Sequence, residues 1–284
     1  MTVRLFGAFV FAVLSVLPLA GVARADPDDT AVRLTVSLRQ LALVQTMRAA
    51  TCFAMGGVDA DRQAALALEQ ADTYETTLTG LRDGHDWLGL SPTRDPDDVA
   101  VIAATEAVWR AYRPAVYQIV SGDLHSVVMR QIMRDADQTV VSAEQLAGHF
   151  LETLEAADIS PDRRAAAMLA ARFQMLTQRA LAETCFVLFD LGGAETRDRL
   201  TRTLEEADQT YALLTSGALD IVPAPSARVT RNMRTANLFW GKMRPTIDAV
   251  QDTQMPDADA VQKMLKLNQS VMKQLNQAVA GYIG

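Results

Sequence analysis

Histidine is scarce in this chain, at 3 of 284 residues, and cysteine is scarcer, at 2. No Cys-x-x-Cys or Cys-x-x-Cys-His occurs, which removes the commonest zinc and c-haem motifs. Two Cys cannot build a disulfide-rich scaffold. His85, His125 and His149 share no ligand spacing on one helix, and no Glu-x-x-His pair marks a di-iron bundle. There is no Gly-rich phosphate loop and no nucleophilic constellation, so the expectation is a non-enzyme without a cofactor. Basic residues are in deficit, with Lys+Arg 27 against Asp+Glu 34 and a net charge of -7. That argues against a nucleic-acid partner, because phosphate binding needs a basic face. Aromatics make up only 6%.

What is present is helix-forming. Hydrophobic residues make up 49% of the chain, far above a disordered tail. Ala, Leu, Gln, Thr and Arg recur throughout, which reads as helix-rich and poor in sheet. The 12 Met scatter as core fillers would, although a Met-plus-His haem or copper box in a bundle stays open as a third function class.

The N-terminus reads as an export signal. Arg4 supplies a basic start, Leu5 to Leu19 is almost wholly apolar, and Ala23-Arg24-Ala25 is a small-x-small cleavage site. The expectation is a signal peptide over 1–25, the rival being an uncleaved anchor. Its removal takes away two Arg and no acid, leaving 25 basic against 34 acidic residues, or -9. No later run is apolar for long enough to span a bilayer, so the mature chain is expected to lack a spanning helix and to be periplasmic.

The remainder repeats. Arg39, Gln45, Ala49, Thr51, Cys52 and Phe53 match Arg172, Gln178, Ala182, Thr184, Cys185 and Phe186 at one constant offset. Leu68–Asp72 matches Leu204–Asp208, Trp109 and Arg113-Pro114 match Trp240 and Arg244-Pro245, and Asp137–Val141 matches Asn268–Met272. Four blocks in one order indicate a duplicated domain, 26–158 and 159–284. Each copy reads as four helices: about 31–55, 61–82, 98–120 and one starting after Asp123, then 161–190, 195–216, 226–252 and one after Asp257. Apolar residues at three and four, such as Leu34, Leu38, Leu41 and Val44, support this. The glycine pairs 56–57 and 192–193 read as helix stops, and Ser160-Pro161 as a cap followed by a first-turn Pro. The last helix of copy one is a candidate to run almost continuously into copy two. Pro114 and Pro245 fall inside third helices and predict a kink or a break. The fold class is therefore all-α, two tandem antiparallel four-helix bundles.

The segment with most chemical character is Ala170–Arg179. Arg172 and Arg179 lie seven apart on one helical face, with Met175 and Leu176 between them. An inward guanidinium needs an acid or a bound anion, and its paired donors suit a small planar oxyanion. Ion pairing with Asp or Glu of neighbouring helices is the plainer alternative.

Ala171-Arg172-Phe173-Gln174-Met175-Leu176-Thr177-Gln178-Arg179 resembles the Gly-Arg-Gln-Arg-Met-Leu-Ser-Gln-Arg signature of PilJ-type domains. These are the N-terminal sensor modules of type IV pili chemotaxis transducers and of NarX-like nitrate sensors. Trp109-Arg110-Ala111-Tyr112-Arg113 resembles the same family's third-helix Trp-x-x-Tyr/Phe-Arg. The resemblance implies periplasmic four-helix bundles that pair through their first helices, with nitrate or nitrite bound by first-helix arginines in the NarX branch. Carried over by position, it implies a ligand site at Arg172, Gln174, Thr177 and Arg179, with Arg39 and Gln45 from copy one. The central Arg of the signature is Gln174 here and Leu41 in copy one, so a different small solute is equally open. The same pairing would bring Cys52 and Cys185 together as a disulfide, the alternative being two free core thiols. The family module precedes a membrane helix and a signalling domain, and this chain shows neither. The functional expectation is a soluble sensory or ligand-binding module for a small anion or other solute. The rival is an accessory protein that contacts a membrane receptor or signalling protein without any small ligand.

Overall fold

The computed structural model describes residues 27–122, 126–153, 159–216 and 224–284. The expected signal peptide at 1–25, His125 and the domain seam around Asp158 lie outside the described residues. Eight α-helices and no strand occur among them: α1 (Pro27–Met55), α2 (Ala60–Asp83), α3 (Pro96–Val120), α4 (Ser126–Thr153), α5 (Pro161–Leu188), α6 (Gly193–Ser216), α7 (Ala227–Gln251) and α8 (Ala258–Ile283). The fold is all-α. No described helix is long and apolar enough to cross a membrane.

Local chemistry sets the helix starts. The Ser160 hydroxyl accepts from the Arg163 N–H, with Pro161 in the first turn, so α5 begins afresh and does not continue an earlier helix. Ser226 accepts from Val229 N–H, and Asp257 accepts from Ala260 N–H. Asp95 accepts from Asp97 N–H ahead of Pro96 and α3. Gly193, expected in a stop signal, is instead the first residue of α6, because α5 already ends at Leu188 with Phe189 as its cap. Both α3 and α7 run through their internal prolines, Pro114 and Pro245, without a break.

Side-chain pairings fix the helix directions. Arg113 reaches Glu75 at 2.9 Å and Tyr117 reaches Asp72 at 3.1 Å, so α2 and α3 are antiparallel. The start of α3 meets the end of α4 through Asp98 and His149 at 2.6 Å. In the second half, Arg244 meets Asp208 at 3.0 Å while Gln251 meets Thr201 at 2.7 Å. Gln178 with Asn268 and Gln174 with Asn276, each at 2.7 Å, set α5 against α8. Helices α1–α4 thus pack among themselves, and α5–α8 do the same.

The two first helices lie side by side in the middle of the molecule. Cys52 and Cys185 are joined by a disulfide with Cα atoms 6.2 Å apart, and Thr46 donates to Gln178 at 3.3 Å. Both links connect equivalent stretches at a nearly constant separation, so α1 and α5 run parallel. A pseudo-two-fold axis therefore passes between them along the helix direction. Each first helix is covered by its own bundle on one side and by its twin on the other. That explains why polar residues such as Gln40, Thr51, Gln174 and Thr184 are buried along them. Just past α1 the ring of Phe189 fills the place where a Cβ on Gly56 would stand.

Burial sets the register between the halves. The offset of 133 seen for Cys52 and Cys185 holds for α1 with α5. It also aligns the buried residues of α2 with those of α6: Ala67 with Leu200, Ala71 with Leu204, Thr77 with Thr210. The sequence match of Leu68–Asp72 to Leu204–Asp208 is therefore about one helical turn out of spatial register. A slip of that size leaves residues on almost the same face, which is why the match looks good. In α4 and α8, Met129, Ile132, Ala143 and Phe150 take the buried places of Val261, Met264, Leu275 and Tyr282. The sequence match of Asp137 to Asn268 is one residue out, and Gln269 is the spatial mate of Asp137.

Candidate functional site

Arg172 and Arg39 occupy equivalent, exposed positions, and Arg172 ion-pairs with Glu206 of α6 in its own bundle. Gln174 is buried and donates to Asn276, while the Thr177 hydroxyl donates back to the Gln174 carbonyl at 2.8 Å. Arg179 pairs with Glu183 at 3.1 Å. Glu144 of α4 feels both arginines: partial desolvation raises its carboxyl above the usual range, opposed by Arg172 and, more weakly, Arg179. Arg172 and Arg179 are therefore answered by carboxylates, and Gln174 by an amide across the bundle. Gln45 alone leads elsewhere, because its carbonyl faces the Arg48 guanidinium at 3.5 Å.

Arg48 is the unexpected residue. It lies on α1 with 0% of its surface exposed. One guanidinium nitrogen donates to Asp137 of α4 at 3.2 Å, and the group stacks over the Phe186 ring of α5 at 4.9 Å. Nε and Nη2 have no hydrogen-bond partner among the described residues. Burial pushes its pKa down from the ordinary arginine range, opposed by Asp137 and Glu183, while Arg199 adds to the lowering. Glu183 is also fully buried, and one of its oxygens is unpartnered. Arg199 of α6 approaches the other oxygen of Asp137 at 4.0 Å, and its Nε and Nη2 lack partners. A buried charge without its full set of partners costs several kcal/mol, so this cluster is not a stabilising device by default.

A cavity of about 560 Å³ opens beside the cluster, between α4 of the first half and the α5–α6 turn of the second. Asp137 and Arg199 line it, with Met129, Met133 and Leu191 as apolar wall. That volume falls within the usual range for small-molecule sites, about 300–1,000 Å³.

The pseudo-symmetry supplies an internal control. A second cavity, of about 240 Å³, lies between α8 and the start of α2. All seven of its lining residues are the spatial mates of residues lining the larger one, Gln63 of Thr196 and Leu265 of Met133 among them. Yet Arg48, Asp137, Glu183 and Arg199 have Leu181, Gln269, Ala50 and Leu66 as their mates. Every member of the charged cluster is uncharged in the other half. The backbone architecture does not need these charges, since it forms without them once per molecule.

The sequence holds this signal, in the form of charged residues on one copy where the other has apolar ones. It is invisible to a search for features the copies share. Among the described residues no group of three or more His, Cys, Asp or Glu is placed to hold a metal ion. The chain matches no family model, no curated protein and no solved structure.

Proposed function

We propose that this protein is an exported binding module that holds one small solute between its two halves, in the cavity beside Arg48 and Arg199. The observation that carries this reading is the one-sided charge: two equivalent cavities, with four charged residues at one and none of their mates charged. Natural chains retain costly buried charge where a ligand completes its pairing. A guanidinium with two unsatisfied donors calls for an acceptor, such as a carboxylate or a small oxyanion. The PilJ-like signature and the parallel first helices agree with a sensory module of that kind. The disulfide agrees with an oxidising compartment such as the periplasm.

The test is to write the uncharged half into the charged one. The variant Arg48→Leu/Asp137→Gln/Glu183→Ala/Arg199→Leu is expected to keep its helical circular dichroism and to lose solute-dependent thermal stabilisation. The probes are nitrate, nitrite, acetate, succinate and free amino acids, each of which stabilises only if it binds the native state. Stabilisation that persists in the variant places the ligand elsewhere.

One observation favours a second reading, a contact with a receptor or signalling protein. Trp87 is 91% exposed on the α2–α3 connector, where His85 and Leu90 pair their backbones on either side of it. Exposed tryptophan is a common anchor of protein interfaces. Under that reading Trp87→Ala abolishes partner binding while solute-dependent stabilisation is unchanged.

A further inference from the structure

The mouth of the larger cavity is charged differently on its two sides. Arg134 projects from α4 and, one turn before Asp137, lines one wall. Asp190 and Glu195, from the turn before α6 and its first residues, line the opposite wall. Among the described residues no ion pair joins Arg134 to Asp190 or Glu195, so these two walls do not neutralise each other. In the smaller cavity the mates of Arg134 and Glu195 are Lys266 and Arg62, and the mate of Asp190 is Gly57. There the one acid at the mouth, Asp59, is answered by Arg62 at 3.8 Å, and Lys266 stands on the other lip. An acidic wall without a paired cation is thus particular to the larger cavity, as the buried cluster is.

A simple anion does not use such a mouth. It would answer Arg134 and leave Asp190 and Glu195 facing a species of their own sign. A simple cation has the converse defect. From the opposed walls we infer that the solute is amphoteric, a small molecule with a carboxylate and an ammonium group, of the α-amino-acid class. The carboxylate meets Arg134 on the α4 side together with the unpartnered donors of Arg199, which lines the same cavity. The ammonium meets Glu195 and Asp190 on the α6 side. Met129, Met133 and Leu191 offer an apolar surface between the walls for an apolar side chain. This rests on the cavity reading above and narrows it to a chemical class.

The experiment uses the full chain. The twenty protein amino acids are screened by thermal shift, and L-leucine is then titrated calorimetrically beside its two halves. These are 4-methylpentanoate, which lacks the amine, and isopentylamine, which lacks the carboxylate. The expected result is one L-leucine per chain, with each half binding about tenfold or more weaker. Glu195→Ala is expected to weaken L-leucine by a similar factor and to leave 4-methylpentanoate unchanged. Arg134→Ala is expected to weaken L-leucine and to leave isopentylamine unchanged. Binding of nitrate or 4-methylpentanoate as tight as that of any amino acid, lost in Arg199→Leu, overturns the amphoteric class and leaves the cavity reading standing. No stabilisation by any amino acid or by nitrate overturns both.

Discussion

Arg48 shows what a single buried charge implies for its neighbours. Removing one partner of a buried pair leaves the other uncompensated, whereas replacing the whole group by apolar residues is often neutral or stabilising. Asp137 is half exposed, which moderates the loss. Asp137→Ala is expected to cost about 2 kcal/mol in urea unfolding. The fourfold replacement by the residues of the other half is expected to be at least as stable as the parent chain. A second prediction concerns the tyrosines. Tyr74 and Tyr112 are fully buried with hydroxyls that lack partners, and burial raises both phenols well above their ordinary value of 10.0. The native state then holds these protons more tightly than the unfolded chain. Stability from this source is complete below about pH 10 and declines as the pH rises beyond it. An absorbance titration is expected to show both phenols ionising only as the helical signal is lost.

At the level of helices, much could be read from the chain beforehand. The caps at Ser160, Ser226 and Asp257 start α5, α7 and α8 by local chemistry, and local chemistry is what a sequence displays best. Asp257→Ala is expected to lower stability by about 1 kcal/mol through the lost cap bond to Ala260. The register between the halves was harder to read. A helical face recurs every three to four residues, so Leu68–Asp72 looks equally at home one turn away. The site was hardest, because its residues gather from α1, α4, α5 and α6 of both halves. Arg172 and Arg179 stand out within a single segment, but what decides their role is Glu206 and Glu183. Arg48 has no motif around it. Its meaning comes from Asp137, Glu183 and Arg199, which only the packing of the halves brings near. Packing between elements also carries a test at Gly56. A methyl group there meets the Phe189 ring, and Gly56→Ala is expected to destabilise the chain by about 1–3 kcal/mol through overpacking.

The molecule as a whole is two bundles joined down the middle by their first helices. The Cys52–Cys185 bond ties together points 133 residues apart, and a loop of that length restrains the unfolded chain strongly. Reduction, or Cys52→Ser with Cys185→Ser, is expected to lower unfolding stability by up to about 5 kcal/mol in the chain-entropy account. Urea unfolding with and without reductant measures it. The helices themselves are expected to persist in the reduced protein, because α1 and α5 remain buried against their own bundles.

Gly56 and Phe189 occupy the same position in the two copies, yet they touch. A homodimer is obliged to set like against like wherever its axis passes. Two chains of the second half would drive phenylalanine into phenylalanine there, and two chains of the first would leave a hole. Fusion releases the pair from that obligation, and this contact makes the release one-way: each half is now shaped to the other and no longer to itself. The same release lets one half carry the buried cluster of Arg48, Asp137, Glu183 and Arg199 while the other has uncharged residues in those four places, so the cost of an unsatisfied arginine is borne once instead of twice.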